Sequence, residues 1–404
     1  MTRTLFAGGR VFDGSGADPV RADVLVEEGR IAAVGPGLRG DTTVDVTART
    51  LLPGLFDCHV HVTITDVDIW RNVNTPFSYR FYAATRNLGV TLDAGITTVR
   101  DAFGADLGMQ QAVADGLVRG PRLRIALAML TQTGGHGDEW YPSGYEAGFA
   151  RAYPGMPAGL VDGPDEMRRK VRELVRAGAN QIKVATSGGV LSPRDDPRHG
   201  HFRDDELAVL VAEADAAGIP VMAHAQGAPG IKAAIRAGVR SIEHGIFLDD
   251  EAIDLMLKHG TFLVPTLGAP TSVIRAAEAG APIPASIVAK ARAVVPIHEA
   301  AFRRAVAAGV RIAMGTDSGV VPHGRNLDEL ALMALGGMTP AEVLVAASRT
   351  SAQLLGLDDE LGTIEPGKRA DLVVVDGDPF AFDDLRARIR AVYQDGRLVS
   401  GSPD

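Results

Sequence analysis

Seven times along this chain a helix-like stretch stops at a glycine and an apolar run begins at once. The runs are ITTVRD after Gly95, PRLRIALAML after Gly120, ANQIKVATSGG after Gly178 and IPVMAHAQG after Gly218. VRSIEHGIF after Gly238, TFLVPTL after Gly260 and VRIAMGTDSG after Gly309 complete the series. Glycine suits the left-handed position that closes a helix. The runs are rich in Val, Ile and Leu and lack clean alternation, which predicts parallel strands covered on both faces. With TLLPGLFDCHVHV at residues 50–62 the count reaches eight.

The intervening segments read as helices. DEMRRKVRELVRAG puts Met167, Val171, Leu174 and Val175 on one face and charges on the other. DDELAVLVAEADAAG and DEAIDLMLKHG follow similar patterns after acidic starts. The expected class is α/β, a (β/α)8 TIM-like barrel over residues 56–357, with active-site residues at the C-terminal strand ends. The chain ends have another texture. RTLFAGGRVFDG, ADVLVEEGRIAAVG and TTVDVTARTLLPG are short alternating strands split by glycine turns, and GTIEPGKRADLVVVDGDPF and IRAVYQDGRLVSG repeat that texture. One small β-sandwich built from residues 1–55 and 358–404 is the simplest arrangement. Thr339-Pro340-Ala341-Glu342 predicts a capped start for the helix before it. The irregular stretch over residues 135–166 is expected to be a loop over the barrel mouth.

Composition narrows the picture little further. A chain of 404 residues, 46% hydrophobic, can bury a large core. Its single cysteine, Cys58, excludes an internal disulfide and suits a reducing compartment. The N-terminus lacks the apolar core of a signal peptide and no stretch is suited to span a bilayer, so the expectation is cytoplasmic, without a membrane. Net charge −9 without a basic cluster argues against nucleic acid as a partner.

The chemistry lies at the strand ends. Lys183, His224 and His244 follow their glycines by five, six and six positions, and Asp317 follows Gly309 by eight. His59 and His61 share one face of the first strand, with Cys58 and Val60 turned away. Read together, His59, His61, Lys183, His224, His244 and Asp317 can hold two divalent cations and a bridging hydroxide. Each signal has a plainer alternative. The His-x-His pair could line a polar interior, His224 and His244 could be hydrogen-bonded core residues, and GTDSG could be an Asx turn. Lys183 could form an inward ion pair with Asp101 or Asp317, or lose its proton and react with CO2 to give a bridging carbamate.

LLPGLFDCHVH, IKVATSGG, VMAHAQG, SIEHG and MGTDSG resemble, in order, the metal-site blocks of the amidohydrolase superfamily. GGRVFDG and GTIEPGKRADLVVVDGDP resemble its terminal β-sandwich, so the likeness spans essentially the whole chain. TQTGGHGD at residues 131–138 and the strand-four lysine are similar to the prolidase-like, binuclear zinc carboxypeptidase branch, related to imidazolonepropionases and ochratoxin-cleaving amidohydrolases. The resemblance implies that His59, His61 and Asp317 hold the buried metal, His224 and His244 the exposed one, and carboxylated Lys183 bridges both. The metal would be zinc, with manganese or cobalt compatible. Such relatives commonly assemble, which is compatible with a homo-oligomer.

The implied activity is hydrolysis of an amide, in a dipeptide or an N-acyl amino acid, with Asp317 as general base and then acid. His136 would bind the carbonyl or stabilise the oxyanion; a loop histidine serving a turn is the alternative. Tyr141, His323 and Arg325 are candidates for substrate binding, and Arg194 is a similar one. His199 and His201 are expected at the solvent or substrate rim, Arg100 and Asp101 in barrel-rim structure, and His259 and His298 in helices without a catalytic part. Two other readings are a mononuclear hydrolase or deaminase of cyclic substrates and a non-catalytic binding protein. Lactone, ester or organophosphate hydrolysis is a further activity open to such a nucleophile.

Overall fold

The computed structural model describes residues 3–146, 152–192 and 194–403. Helix-ending glycines adopt the left-handed backbone expected of them: Gly238 at φ 102°, Gly260 at φ 67° and Gly309 at φ 83°. The apolar runs that precede or follow become strands, namely Leu55–Val60, Ile96–Asp101, Arg122–Ile125, Ile182–Ala185, Val221–Ala225, Ser241–His244 and Phe262–Val264. They pair in parallel in two sheets. One joins Arg122–Ile125, Ile96–Asp101 and Leu55–Val60; the other runs from Met129–Leu130 through the four later strands to Phe262–Val264. Residues 122–130 serve both sheets, turned between them by Leu127 at φ 67°.

The eighth run behaves differently. It forms isolated bridges, Ile312 with Leu263 and Ser318 with Val60, in place of a continuous ladder. Backbone hydrogen bonds nevertheless tie it on both sides: Leu263 N donates to Arg311 O at 2.9 Å, Cys58 N to Met314 O at 2.8 Å and Asp317 N to His59 O at 2.8 Å. Gly315 explains the close approach, since a Cβ there would stand 2.3 Å from Val264 Cγ1 and 3.0 Å from His59 Cβ. The fold is thus α/β, with helices packed on parallel strands.

The helices follow the sequence pattern. Pro164–Arg176 buries Met167, Val171 and Leu174, and Asp204–Ala216 and Asp250–His259 fill the other two predicted places. Their apolar faces and the outer faces of the strands form one large core. Thr339 caps Pro340–Val345, its Oγ1 accepting from Glu342 N at 3.3 Å. The helix then passes through a π-helical turn, Ala346–Thr350, where Ser351 Oγ donates to Ala346 O at 2.6 Å. Gly268–Glu278 and Ala285–Ala308 are two helices inserted before the last run.

Both chain ends enter a second group of sheets. Thr4–Ala7, Asp23–Glu27, Arg30–Gly35 and Thr42–Asp45 make a four-stranded sheet. Arg49–Pro53 pairs antiparallel with Leu372–Asp376 inside a six-stranded sheet that also holds Ile389–Gln394 and Arg397–Gly401. Phe6, Val24, Ile31, Leu51, Val374 and Tyr393 share one core across the two sheets. Arg49–Pro53 leads through Gly54 directly into Leu55–Val60, so the terminal sheets anchor the first histidine-bearing strand. In the irregular stretch, residues 147–151 lie outside the described residues; His136, Asp138 and Tyr141 from its first part line the large cavity. Among the described residues no helix is long and apolar enough to cross a membrane.

Candidate active site

A cavity of about 400 Å³ opens at the C-terminal ends of the parallel strands, and His59, His61, Lys183, His224, His244 and Asp317 all line it. His59, His244 and Asp317 each offer one ligand atom, all within 4.8 Å of one another, a group able to hold a metal ion. Asp317 Oδ1 lies 3.1 Å from His61 Nε2 and 3.6 Å from His59 Nε2. The rings of His224 and His244 stand 4.7 Å apart and those of His59 and His244 5.0 Å apart. Side chains more than 250 residues apart in the chain therefore meet because each strand stops at the same level.

What lies behind each imidazole sets which nitrogen faces inward. His59 Nδ1 donates to Glu243 Oε2 at 2.7 Å, His61 Nδ1 to Phe103 O at 3.3 Å and His244 Nδ1 to Thr266 Oγ1 at 2.7 Å. These three turn Nε2 to the centre. His224 is reversed: its Nε2 donates to Gly188 O at 3.2 Å, leaving Nδ1 for the centre. One nitrogen held by an outer partner and the other free is the arrangement metal-bound histidines adopt. Burial, reinforced by the Lys183 charge, pushes His59 well below the usual imidazole range and His244 down to about 3. Burial also pushes His224 far down, aided by His136. Neutral imidazoles are the ligating form.

The two charged members are also displaced. Burial would raise Asp317, but the facing imidazoles, with His61 Nε2 at 3.1 Å, hold it below the usual carboxylate range. Burial pulls Lys183 down to about 8, against the pull of Glu243 and Asp317 and with the help of Arg100. Among the described residues Lys183 forms no direct ion pair with Asp101 or Asp317, although the Asp317 charge acts on it. Asp101 accepts from Val62 N at 2.8 Å and Ala105 N at 3.0 Å, and Asp317 Oδ1 faces His61 Nε2 and His59 Nε2. His244 at φ 70°, Asp317 at φ 62° and Thr266 at φ 52° all sit in the left-handed region disfavoured for non-glycine residues. Such strain, roughly 1–3 kcal/mol each, is tolerated where surrounding bonds over-determine the backbone.

Several sequence expectations need correction. Arg100 is not part of the rim: it is buried among the strands, donating to Glu243 Oε1 at 2.8 Å and Cys58 O at 2.6 Å. His323 does not line the cavity; it is half-buried, and its Nε2 donates to Ile64 O at 2.9 Å. Arg325 is exposed and pairs with Asp328 at 2.6 Å, away from the lining. His201 is buried, not at the solvent rim, whereas His199 is exposed as expected. His298, placed in a helix without a part in the site, donates from Nε2 to His244 O at 2.9 Å and lines the cavity.

His136 and Tyr141 do face the cavity, as does Arg194. The His136 ring stacks on His224 with centroids 4.2 Å apart and planes at 13°. Arg194 lies over the Tyr141 ring at 5.0 Å and the Trp140 ring at 5.8 Å, and its Nη2 donates to Asp138 O at 3.3 Å. Apolar side chains, among them Phe103, Trp70, Ile246, Val273 and Ile287, make up much of the remaining lining, with Asp66, Asn72 and Gln226 among the polar ones. Sequence reasoning missed Glu243, Thr266 and Asp195. Glu243 adjoins His244 in SIEHG, and a carboxylate inside an otherwise apolar strand was the available signal.

Residues 50–399 match the family model described as "Amidohydrolase family". The chain is similar to an ochratoxinase of Aspergillus niger, 33% identical, over 98% of this chain and 87% of that protein. It is also similar to an imidazolonepropionase of Rhizorhabdus wittichii, 30% identical over 87% of each. Among solved structures, a Xaa-Pro dipeptidase with bound methionine superposes with a TM-score of 0.90 at 34% identity, covering 99% of this chain and 100% of that one. A prolidase complexed with n-methylphosphonate-l-proline gives 0.91 at 35% identity, covering 99% of this chain and 100% of that one.

Proposed function

Because this chain belongs to the amidohydrolase family, an enzyme family acting on amide bonds and generally using divalent metals, we propose that it hydrolyses the amide of a dipeptide or N-acyl amino acid at a two-metal site. The single observation carrying this reading is the convergence of six side chains on one cavity, with each imidazole held from behind. The ochratoxinase and the Xaa-Pro dipeptidase to which the chain is similar support the amide and carboxylate parts of the proposal. Its proposed frame is a (β/α)8 barrel over residues 56–357 carrying a β-sandwich made of residues 1–55 and 358–404.

The donor set suits zinc: four imidazoles, an ionised carboxylate and Lys183, whose Nζ, after losing its ammonium proton to solvent, would add to CO2 and release a second proton to give a carbamate. His59, His61 and Asp317 would hold one ion, His224 and His244 the other, with carboxylated Lys183 between them. Bound there, the ions supply Lewis acidity and water acidified towards neutral pH. The displacement of Lys183 to about 8 supports carbamate formation, since an appreciable fraction of the amine is then unprotonated near neutrality.

Asp317 uses the oxygen other than the Oδ1 facing His59 and His61. It takes the proton of the attacking water as the C–O bond forms, then returns it to the departing nitrogen as the C–N bond breaks. Held below the usual carboxylate range, it is ionised before substrate enters, so that oxygen is free to accept a proton. His136 donates from Nε2 to the scissile carbonyl oxygen, on which charge develops. Arg194, steadied by the Tyr141 face, engages the free carboxylate of the substrate at the mouth. The apolar walls receive the uncharged remainder and exclude water.

The test is a panel of dipeptides and N-acyl amino acids offered to zinc-loaded protein, with release of the amino acid measured. Turnover of carboxylate-bearing amides is expected. No turnover of any member, with rapid opening of cyclic imides or lactones, would overturn the substrate class.

A further inference from the structure

The described residues of one loop, 188–192 and 194–196, do more than border the cavity. Its Asp195 side chain is only 5% exposed. Asp195 Oδ2 accepts from Gly189 N at 3.1 Å and lies 3.3 Å from His136 Nδ1. Asp195 Oδ1 is 3.6 Å from the Lys290 ammonium and has no hydrogen bond among the described residues. Burying a carboxylate this deeply raises its proton affinity, yet the group is held below the usual carboxylate range by His136, the Gly189 amide and Lys290. A buried anion with its partners so arranged has a stake in where His136 stands.

Three neighbours confine the His136 ring. His224 covers one face. Gly189 leaves room for the ring, since a Cβ there would be 2.2 Å from His136 Cε1. Asp195 takes Nδ1, so Nε2 is the nitrogen left for the cavity. The loop itself is tied down by Lys290 of helix Ala285–Ala308. Its Nζ donates to Ser192 O at 2.8 Å, to Gly189 O at 3.3 Å and to Asp195 O.

From this geometry we infer that Asp195 is a positioning residue, which orients His136 so that Nε2 meets the scissile carbonyl, and that Lys290 holds Asp195 in place. The inference rests on the role given to His136 above. Asp195 touches no substrate atom; it acts through the ring. The same histidine–carboxylate pairing orients imidazoles in other hydrolytic sites.

Its signature is a fall in kcat with KM little changed, because positioning at the carbonyl matters most in the transition state. On the most rapidly cleaved member of the dipeptide and N-acyl panel, Asp195→Ala should lower kcat by about 10²-fold. KM, zinc content and melting temperature should stay near wild type. Asp195→Asn, which keeps an oxygen for Nδ1–H, should recover about tenfold of that loss. Lys290→Met should fall between the two, and His136→Ala/Asp195→Ala should be no slower than His136→Ala.

A readout independent of turnover is the exchange-protected Nδ1–H signal of His136 in ¹⁵N-histidine-labelled protein, identified by its loss in His136→Gln. It should be absent from Asp195→Ala. The inference is overturned if Asp195→Ala keeps kcat within twofold while His136→Ala does not, if the two losses multiply in the double variant, or if the Nδ1–H signal persists. An unaffected kcat in His136→Ala would instead refute the role proposed for His136.

Discussion

His59 Nδ1 and Glu243 Oε2 lie 2.7 Å apart with both side chains wholly shielded from water. Arg100 takes the other carboxylate oxygen at 2.8 Å, so Glu243 is fixed from one side and fixes His59 on the other. Removing such an outer partner costs metal affinity about 10–100-fold. Glu243→Gln should therefore release zinc to a competing chelator at a correspondingly lower chelator concentration. Retention equal to wild type would mean that the pair does not orient the ligand.

Lys183 distinguishes two ions from one. In Lys183→Ala, zinc measured by elemental analysis should fall from roughly two ions per chain to roughly one, with hydrolysis of the amide panel lost. Added short-chain carboxylic acids should restore part of the activity by occupying the vacated bridge. One ion in the wild type together with a fully active variant would favour the mononuclear reading.

The two arginines expected near the substrate should separate cleanly. Arg194 borders the cavity over Tyr141, while Arg325 is spent on Asp328 outside it. For a substrate with a free carboxylate, Arg194→Ala should raise KM by about 10-fold or more, the loss of a charge-assisted contact. Arg325→Ala should leave KM within about twofold. The same KM increase for a carboxamide-blocked substrate would argue against carboxylate recognition.

Acid should act through His298. Burial pushes its pKa down to about 4 from 6.5, so the unfolded chain binds a proton that the folded one refuses between those values. Stability attached to this group is present above about pH 6.5 and is lost as pH falls towards 4, at up to about 1.4 kcal/mol per pH unit. The unfolding free energy of wild type minus that of His298→Gln should shrink by that slope on acidification, measured by urea denaturation. A difference independent of pH would remove His298 as the cause.

Gly315 tests the closeness of the last run to the first strand. An added Cβ would meet Val264 Cγ1 and His59 Cβ. Gly315→Ala should cost about 1–3 kcal/mol by overpacking, visible as a lower melting temperature of the metal-free protein. An unchanged melting temperature would show that this approach is looser than the geometry implies.

The local code of this chain was legible because it is carried by neighbours in sequence. Gly238, Gly260 and Gly309 end helices by backbone freedom alone, and the Thr339–Glu342 cap needs only four residues. The spacings of five, six and six from glycine to Lys183, His224 and His244 pointed to nearly one level of the strands. What no local pattern contains is direction in space. His323 and Arg325 follow Asp317 closely, yet the positive φ at Asp317 and the turn after it carry them off the cavity. Arg100 and His298 looked peripheral, but their partners Glu243 and His244 come from distant segments, and only packing brings those charges and carbonyls within hydrogen-bond reach. The residue types and their register were written along the chain; which nitrogen faces inward, and what holds it there, arose from long-range contacts that burial makes costly to leave unsatisfied.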